Sequence, residues 1–82
     1  MDDGLILEAR MKEVFGSVFN LDRDEISPEI SMQTFGAWDS LRQIQLVLAL
    51  EDEFKVSFSE KEVGSLSSFT QFFEALRKRA RR

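Results

Sequence analysis

The clearest hydrophobic pattern in the chain lies in residues 40–54, SLRQIQLVLALEDEF, where apolar residues recur at the spacing of an α-helix. The face predicted to pack in the core carries Leu46, Val47, Leu50 and Phe54. Since successive residues turn by about 100°, a second set falls on nearly the opposite side. We call it the apolar stripe, and it consists of Leu41, Ile44 and Leu48. One helix of a small domain rarely needs two buried faces, so the apolar stripe either contacts a partner protein or is covered by a neighbouring loop or helix.

Three further helices are predicted from spacing and from capping residues. Residues 3–19 place apolar residues at helical spacing, and two aspartates suit the start of that helix. The segments SEKE and SFTQ each fit a capping box, in which a serine and a glutamate or glutamine satisfy the first free N–H groups of a helix. They predict a short helix over 60–65, broken near Gly64, and a last helix over 68–79. We therefore predict an all-α fold, a bundle of three longer helices and one short one.

Residues 20–38 break the helical rhythm with turn-forming residues and form a long connection for a compact domain. Five apolar residues are expected to pin this loop to the core: Leu21, Ile26, Ile30, Met32 and Phe35. The spacing Asn20-x-Asp22-x-Asp24 is similar to the start of a calcium-binding loop. However, a glutamate and a serine stand where such a loop needs glycine and a bidentate glutamate. We therefore expect Asp22 and Asp24 to be turn residues.

Composition limits the possible functions. The chain is predicted to be a single domain over residues 1–82 that buries roughly 60% of its unfolded surface. Cysteine, histidine and tyrosine are absent, which excludes disulfides, a thiolate nucleophile and cysteine-based metal sites, and removes the commonest general base. We therefore expect neither an enzyme nor a metal site. The acidic N-terminal segment and the lack of a long apolar run predict a cytoplasmic monomer without membrane insertion.

The charge is unevenly distributed along the chain. Residues 1–76 contain all 15 acidic residues and six of the 11 basic ones, a net charge of −9, whereas the tail 77–82 contains five bases and no acid. An acidic body disfavours nucleic acid and favours basic protein partners. The tail suits the end of a helix, where cations complement the dipole, and the alternative is contact with an anionic surface. The run Glu51-Asp52-Glu53 is either a solvated charge cluster or a docking patch.

Ser40 stands at the start of the strongest predicted helix, and two roles are open to it. As a helix cap it would form a capping box with Gln43, unless Asp39 caps instead. As an attachment point it would place a phosphate-linked group at the positive end of a helix, facing free backbone N–H groups. A hydrolytic role is disfavoured because no histidine or cysteine exists to complete a triad. Trp38, the only tryptophan, is expected either to anchor the core or to flank the attached group.

The chain resembles the acyl carrier protein family, most densely over GAWDSLRQIQLVLALEDEF and VSFSEKEVGSLSSFTQFFEAL. The triplet Asp39-Ser40-Leu41 is weak alone, but here it opens an amphipathic helix after a long loop and before two capped helices. Members of the family are four-helix bundles without activity of their own. The resemblance implies that a phosphopantetheinyl transferase moves 4′-phosphopantetheine from coenzyme A onto Ser40, with Asp39 assisting recognition. The thiol of this arm would carry acyl or aminoacyl groups as thioesters for acyl-loading and acyl-transfer enzymes.

The same resemblance implies a set of partner-docking residues along the second helix: Leu41, Arg42, Ile44, Gln45, Leu48 and Glu51. Fatty-acid carriers usually have acidic residues where this chain has Arg42 and Gln45, and a small residue where it has Trp38. These differences indicate weaker binding to partners tuned to an acidic helix. They favour a stand-alone carrier of a dedicated secondary-metabolite, lipid or surface-polymer pathway. The alternative is an unmodified helical interaction module that binds through the apolar stripe.

Overall fold

The computed structural model describes residues 3–80, and within them the chain folds into four helices. Their bounds are Asp3–Phe19 (α1), Ser40–Phe54 (α2), Glu60–Ser65 (α3) and Phe69–Ala80 (α4). The predicted all-α fold, with three longer helices, one short helix and a long first loop, is confirmed. Helix α3 covers the predicted residues 60–65 and ends one residue after Gly64, close to the predicted break. Asp2, one of the two aspartates expected at the start of the first helix, and Arg81 and Arg82 of the basic tail lie outside the described residues.

The core is formed by apolar side chains from α1, α2, α4 and the long loop, and many of them are aromatic. Its buried members are Leu7, Met11, Phe15, Phe19, Ile26, Trp38, Leu46, Val47, Leu50, Phe69, Phe72 and Leu76. Phe15 of α1 lies at their centre, with its ring 4.9 Å from that of Phe69 and 5.5 Å from that of Trp38. The predicted core face of α2 is therefore confirmed, with Phe54 half-buried at its end.

Helix α1 ends in a left-handed turn that begins the long loop. Asn20 has φ of 60°, and the N–H of Leu21 donates to the carbonyl of Gly16 at 2.8 Å. This pairing satisfies one of the carbonyls that a helix end leaves free. A Cβ at residue 16 would lie 2.5 Å from the Leu21 carbonyl oxygen, so the returning chain requires glycine there.

The long loop is fixed to the start of α4 by backbone hydrogen bonds. The N–H of Met32 donates to Ser67, and the N–H of Phe69 donates to the carbonyl of Ile30, at 2.9 and 3.1 Å. Ile26 is buried, and the other apolar loop residues are half-buried, as predicted. The loop also contains a 3₁₀ turn at Arg23–Glu25, which the sequence analysis did not predict. These contacts position the end of the loop, where the candidate site begins.

Two arginines link pairs of helices across the bundle. Arg10 of α1 donates to the carbonyl and carboxylate of Glu53 near the end of α2, both at 3.0 Å. Arg79 of α4 donates to both carboxylate oxygens of Glu62 in α3, and its guanidinium carbon lies 4.9 Å from the centre of the Phe58 ring. These arginines therefore fix α2 and α3 to the rest of the bundle. No helix in the described part of the chain is long and apolar enough to span a membrane.

Candidate functional site

Asp39, and not Ser40, caps helix α2. Its backbone is extended, and its side chain accepts a hydrogen bond from the N–H of Arg42 at 2.9 Å. Ser40 is the first residue of the helix, so the capping role considered for it is wrong. Its side chain is exposed, and its hydroxyl has no hydrogen bond to any residue within 3–80. The site therefore presents a free hydroxyl on a helix end that its neighbour has already capped.

Trp38 anchors the chain immediately before this site. Only 2% of the residue is exposed, and its indole stacks on Phe72 with ring centres 6.2 Å apart. Its ring also lies 5.7 Å from that of Phe19. The indole N–H donates to Oε1 of Gln43 at 2.8 Å. Of the two roles predicted for Trp38, its burial fits that of core anchor.

Gln43 connects the site to helix α3, a role that the sequence analysis missed. The sequence predicted a capping box between Gln43 and Ser40, but the Gln43 side chain is buried and points away from the helix end. Its Nε2 donates to the carbonyls of Val63 and Leu66 at 2.8 and 2.7 Å. The helical spacing indicated that Gln43 faces the core, because residue 43 lies on the same side of the helix as residues 46, 47 and 50. A polar residue at such a position needs buried hydrogen-bond partners.

Helix α3 is held at both ends by polar contacts, and none of its residues is fully buried. Gln43 binds carbonyls at its C-terminal end, while Ser59 and Glu62 form the predicted capping box at its N-terminal end. The Arg79 guanidinium beside Glu62, helped by the backbone N–H of Ser59, holds the pKa of that carboxyl below its ordinary value. The position of α3 beside the site therefore depends on ionic and hydrogen-bonded contacts more than on apolar burial.

The apolar stripe of α2 is open to solvent. Leu41, Ile44 and Leu48 are 63%, 54% and 61% exposed, so neither the long loop nor α3 covers them. They follow one another along the helix from the residue after Ser40. An exposed apolar surface of this kind is typical of a protein-binding site. The stripe and the free hydroxyl thus lie on one helix, beginning in the same turn.

The polar residues of the predicted docking set form hydrogen bonds with other residues of the same chain. Arg42 donates to the carbonyl of Val18 at 3.0 Å and to Oε1 of Gln45 at 3.2 Å. Glu51 is half-buried, and its Oε2 accepts from the N–H of Phe58 at 2.8 Å. The Glu51 carboxylate therefore holds the link between α2 and α3, a contact that the predicted surface role did not include. The first turn of α2 contains no acidic residue.

A phosphate-linked group fits the geometry around Ser40. Within residues 3–80, the backbone N–H groups of Ser40 and Leu41 at the start of α2 donate no hydrogen bond. Free N–H groups and the helix dipole favour a negative charge at this position. A family model described as a phosphopantetheine attachment site matches residues 9–76 of the chain. The match spans the helices, the loop and the site described above.

Proposed function

The chain belongs to the acyl carrier protein family, whose members carry covalently attached 4′-phosphopantetheine, and we propose that it is a discrete carrier modified at Ser40. In this proposal the carried group is an acyl or aminoacyl thioester, which the protein holds for other enzymes. Carrier domains of this family are not catalysts themselves. The Trp38 and Arg42 positions favour a dedicated secondary-metabolite, lipid or surface-polymer pathway over the housekeeping fatty-acid pathway.

The observation that carries the proposal is the free hydroxyl of Ser40. Asp39 caps the helix through the N–H of Arg42, so modification of the serine breaks no structural hydrogen bond. The hydroxyl is exposed and therefore accessible to a transferase. The phosphodiester would lie against the N–H groups of Ser40 and Leu41, which favour its negative charge. A chain without cysteine has no thiol of its own, and the attached arm supplies the thiol that forms the thioester.

We further propose that partner enzymes dock on the apolar stripe. Its three side chains are more than half exposed, and they begin one residue after the attachment serine. The partners are a phosphopantetheinyl transferase and the enzymes that load and transfer the acyl group. Because the first turn of α2 has no acidic residue, docking should depend mainly on apolar contact. Raising the salt concentration should therefore change kcat/KM for transfer only slightly, and a steep fall would indicate ionic docking.

The test of the carrier function is incubation with coenzyme A and a broad-specificity phosphopantetheinyl transferase, followed by intact mass measurement. We expect a gain of one phosphopantetheine, which Ser40→Ala abolishes. Ser57→Ala is a matched control because Ser57 is also exposed and has no side-chain hydrogen bond among residues 3–80, so this variant should load like the wild type. Folded protein that gains no mass would overturn the proposal and favour the unmodified interaction module.

A further inference from the structure

The side chain of Gln43 crosses the seam between α2 and α3, one helical turn beyond Ser40. Residues three apart on a helix are neighbours on its surface. Because Gln43 bonds to the last turn of α3, it lies on the side of α2 that faces this helix. A chain attached to Ser40 that enters the bundle between the two helices therefore meets Gln43 first.

The amide of Gln43 uses both of its hydrogens and its oxygen within the seam. Nε2 donates to Val63 and Leu66, and Oε1 accepts from the indole of Trp38, all at 2.7 to 2.8 Å. An indole N–H only donates and a carbonyl only accepts, so a single orientation of the amide satisfies all three partners. Gln43 is 6% exposed, so these bonds are shielded from water. Separating them would leave buried polar groups unpaired, which is costly.

The space behind the amide is occupied by core side chains. Leu46, one turn further along α2, and Phe72 of α4 are completely buried. The Trp38 ring stacks on Phe72 and holds Gln43 from the side of the loop. Entry of an aliphatic chain would thus require both rupture of the hydrogen bonds and displacement of packed side chains, and closely packed interiors resist such displacement.

We propose that Gln43 closes the α2–α3 seam to the cargo, so that a group carried on Ser40 stays outside the bundle. This inference rests on the proposed carrier function. A long aliphatic chain that stays outside remains in contact with water, which is unfavourable in proportion to its apolar area. The cargo class that suits this carrier is therefore a short or polar acyl group, such as an aminoacyl or hydroxyacyl group. Gln43 is a specificity-determining residue in this proposal.

The test compares two loaded forms of the full chain. A transferase attaches the arm from acetyl-coenzyme A or from octanoyl-coenzyme A, and intact mass confirms each product. We expect the two forms to have the same Tm, and no nuclear Overhauser effects between octanoyl methylenes and Leu46 or Phe72. A chain bound inside the folded protein would raise Tm, because it binds the native state alone. A higher Tm for the octanoyl form, with contacts to these residues, would overturn the proposal.

Variants at residue 43 test its role directly. Gln43→Ala removes the amide and should give an octanoyl form with a higher Tm than its acetyl form. Gln33→Ala is the matched control, because it removes the same atoms from an exposed residue whose side chain has no hydrogen bond among residues 3–80, and it should behave like the wild type. If Gln43→Ala does not fold, as judged by circular dichroism, Gln43→Ser takes its place.

The outcomes separate the two proposals. Failure of the wild type to gain mass would refute the carrier function itself. Normal loading combined with uptake of the octanoyl chain by the wild type would refute only the closed seam. A folded variant at residue 43 that loads normally, and whose octanoyl and acetyl forms have the same Tm, would show that Gln43 is not the barrier. This result would also refute the inference.

Discussion

The carboxylate of Asp39 accepts a hydrogen bond from the backbone N–H of Arg42 at 2.9 Å, across the residue proposed as the attachment point. The capping role, one of the two alternatives for this serine in the sequence, therefore belongs to its neighbour, and attachment is the role that we propose for Ser40. Asp39 satisfies the helix end, and the hydroxyl of Ser40 is left without a structural bond to lose. The stability of the helix and the proposed modification of Ser40 can thus be changed separately.

The first prediction is that Asp39→Ala destabilises the unmodified protein more than Ser40→Ala does. Loss of a capping side chain costs about 0.5–2 kcal/mol, whereas removal of an exposed, unbonded hydroxyl changes stability by less than about 0.5 kcal/mol. Urea unfolding of both variants measures the difference. Asp39→Asn is the control, since asparagine caps about as well as aspartate and should retain most of the stability. Equal losses of unfolding free energy for Asp39→Ala and Ser40→Ala would indicate that Ser40 contributes to the cap as much as Asp39 does.

The second prediction contrasts two leucines of α2. Leu46→Ala should cost about 2–5 kcal/mol, because Leu46 is completely buried. Leu48→Ala should change stability by less than about 0.5 kcal/mol, because Leu48 is 61% exposed. If the apolar stripe docks the transferase, Leu48→Ala should lower kcat/KM for loading about fivefold, the equivalent of about 1 kcal/mol. Unchanged loading by this variant would argue against docking through Leu48.

The third prediction concerns two glycines that lie within helices. Alanine is the better helix former, and a Cβ at residue 64 would meet no atom within 4 Å beyond the backbone of its own helix and its chain neighbours. Gly64→Ala should therefore be neutral or stabilise by up to about 1 kcal/mol. Gly16→Ala should instead destabilise by about 1–3 kcal/mol, because its Cβ would lie 2.5 Å from a backbone oxygen. Thermal unfolding should show an unchanged or higher Tm for Gly64→Ala and a lower Tm for Gly16→Ala. A stable Gly16→Ala protein would contradict the tight turn at the end of α1.

The fourth prediction is a pH dependence that comes from Glu62. Its folded-state pKa lies below the ordinary value of 4.5, mainly because of the Arg79 guanidinium. A depressed carboxyl pKa stabilises the folded state fully above the ordinary value, and this contribution is lost as the pH falls through the lowered one. Urea unfolding at a series of pH values should therefore show Glu62→Gln less stable than the wild type at neutral pH, with a gap that closes in acid.

Arg79→Met provides the control for this effect, because it removes the main cause of the lowered pKa. It should reduce the dependence of stability on pH between neutral and acidic solution. The exposed pair Arg77–Glu74, whose side chains are about half exposed, offers a comparison on the same helix. Such surface pairs contribute little, so Arg77→Met should cost less stability than Arg79→Met. A gap between wild type and Glu62→Gln that persists unchanged in acid would contradict the assignment to Glu62.

The helices were predictable because periodicity and capping chemistry agree along the chain. Helix α2 has an uninterrupted apolar pattern, and Ser59 with Glu62 specifies the start of α3 through a local hydrogen-bond pair. At α4 the prediction was right for a partly different reason. Ser68 caps the helix, but Gln71 accepts from the N–H of Ser67 instead of closing the box. Local rules therefore located each helix start to within one residue, without specifying every partner.

The candidate site was predictable only in part, because its supporting contacts join residues far apart in sequence. The position of the apolar stripe on α2 followed from helical geometry alone, whereas the sequence left open whether a loop or a helix covers it. Two partners of Gln43, Val63 in α3 and Leu66 just after it, lie 20 and 23 residues away. One partner of Arg42 lies 24 residues earlier in α1. Glu51 illustrates the same limit, since its bond to Phe58 depends on how the link after α2 folds back. Spacing predicts which face a side chain occupies, and tertiary packing decides what it binds.

The burial of Trp38 gives the protein an intrinsic optical probe at its proposed attachment site. Trp38 is the only tryptophan and the chain has no tyrosine, so its near-ultraviolet fluorescence comes almost entirely from one indole. That indole lies two residues before Ser40, packed on Phe72 and bonded to Gln43. Its emission wavelength depends on contact with water, and any opening of the neighbouring seam would shift it to the red. Opening of this seam, as expected for the octanoyl form of Gln43→Ala and not for that of the wild type, can therefore be followed by emission spectra of the unlabelled protein.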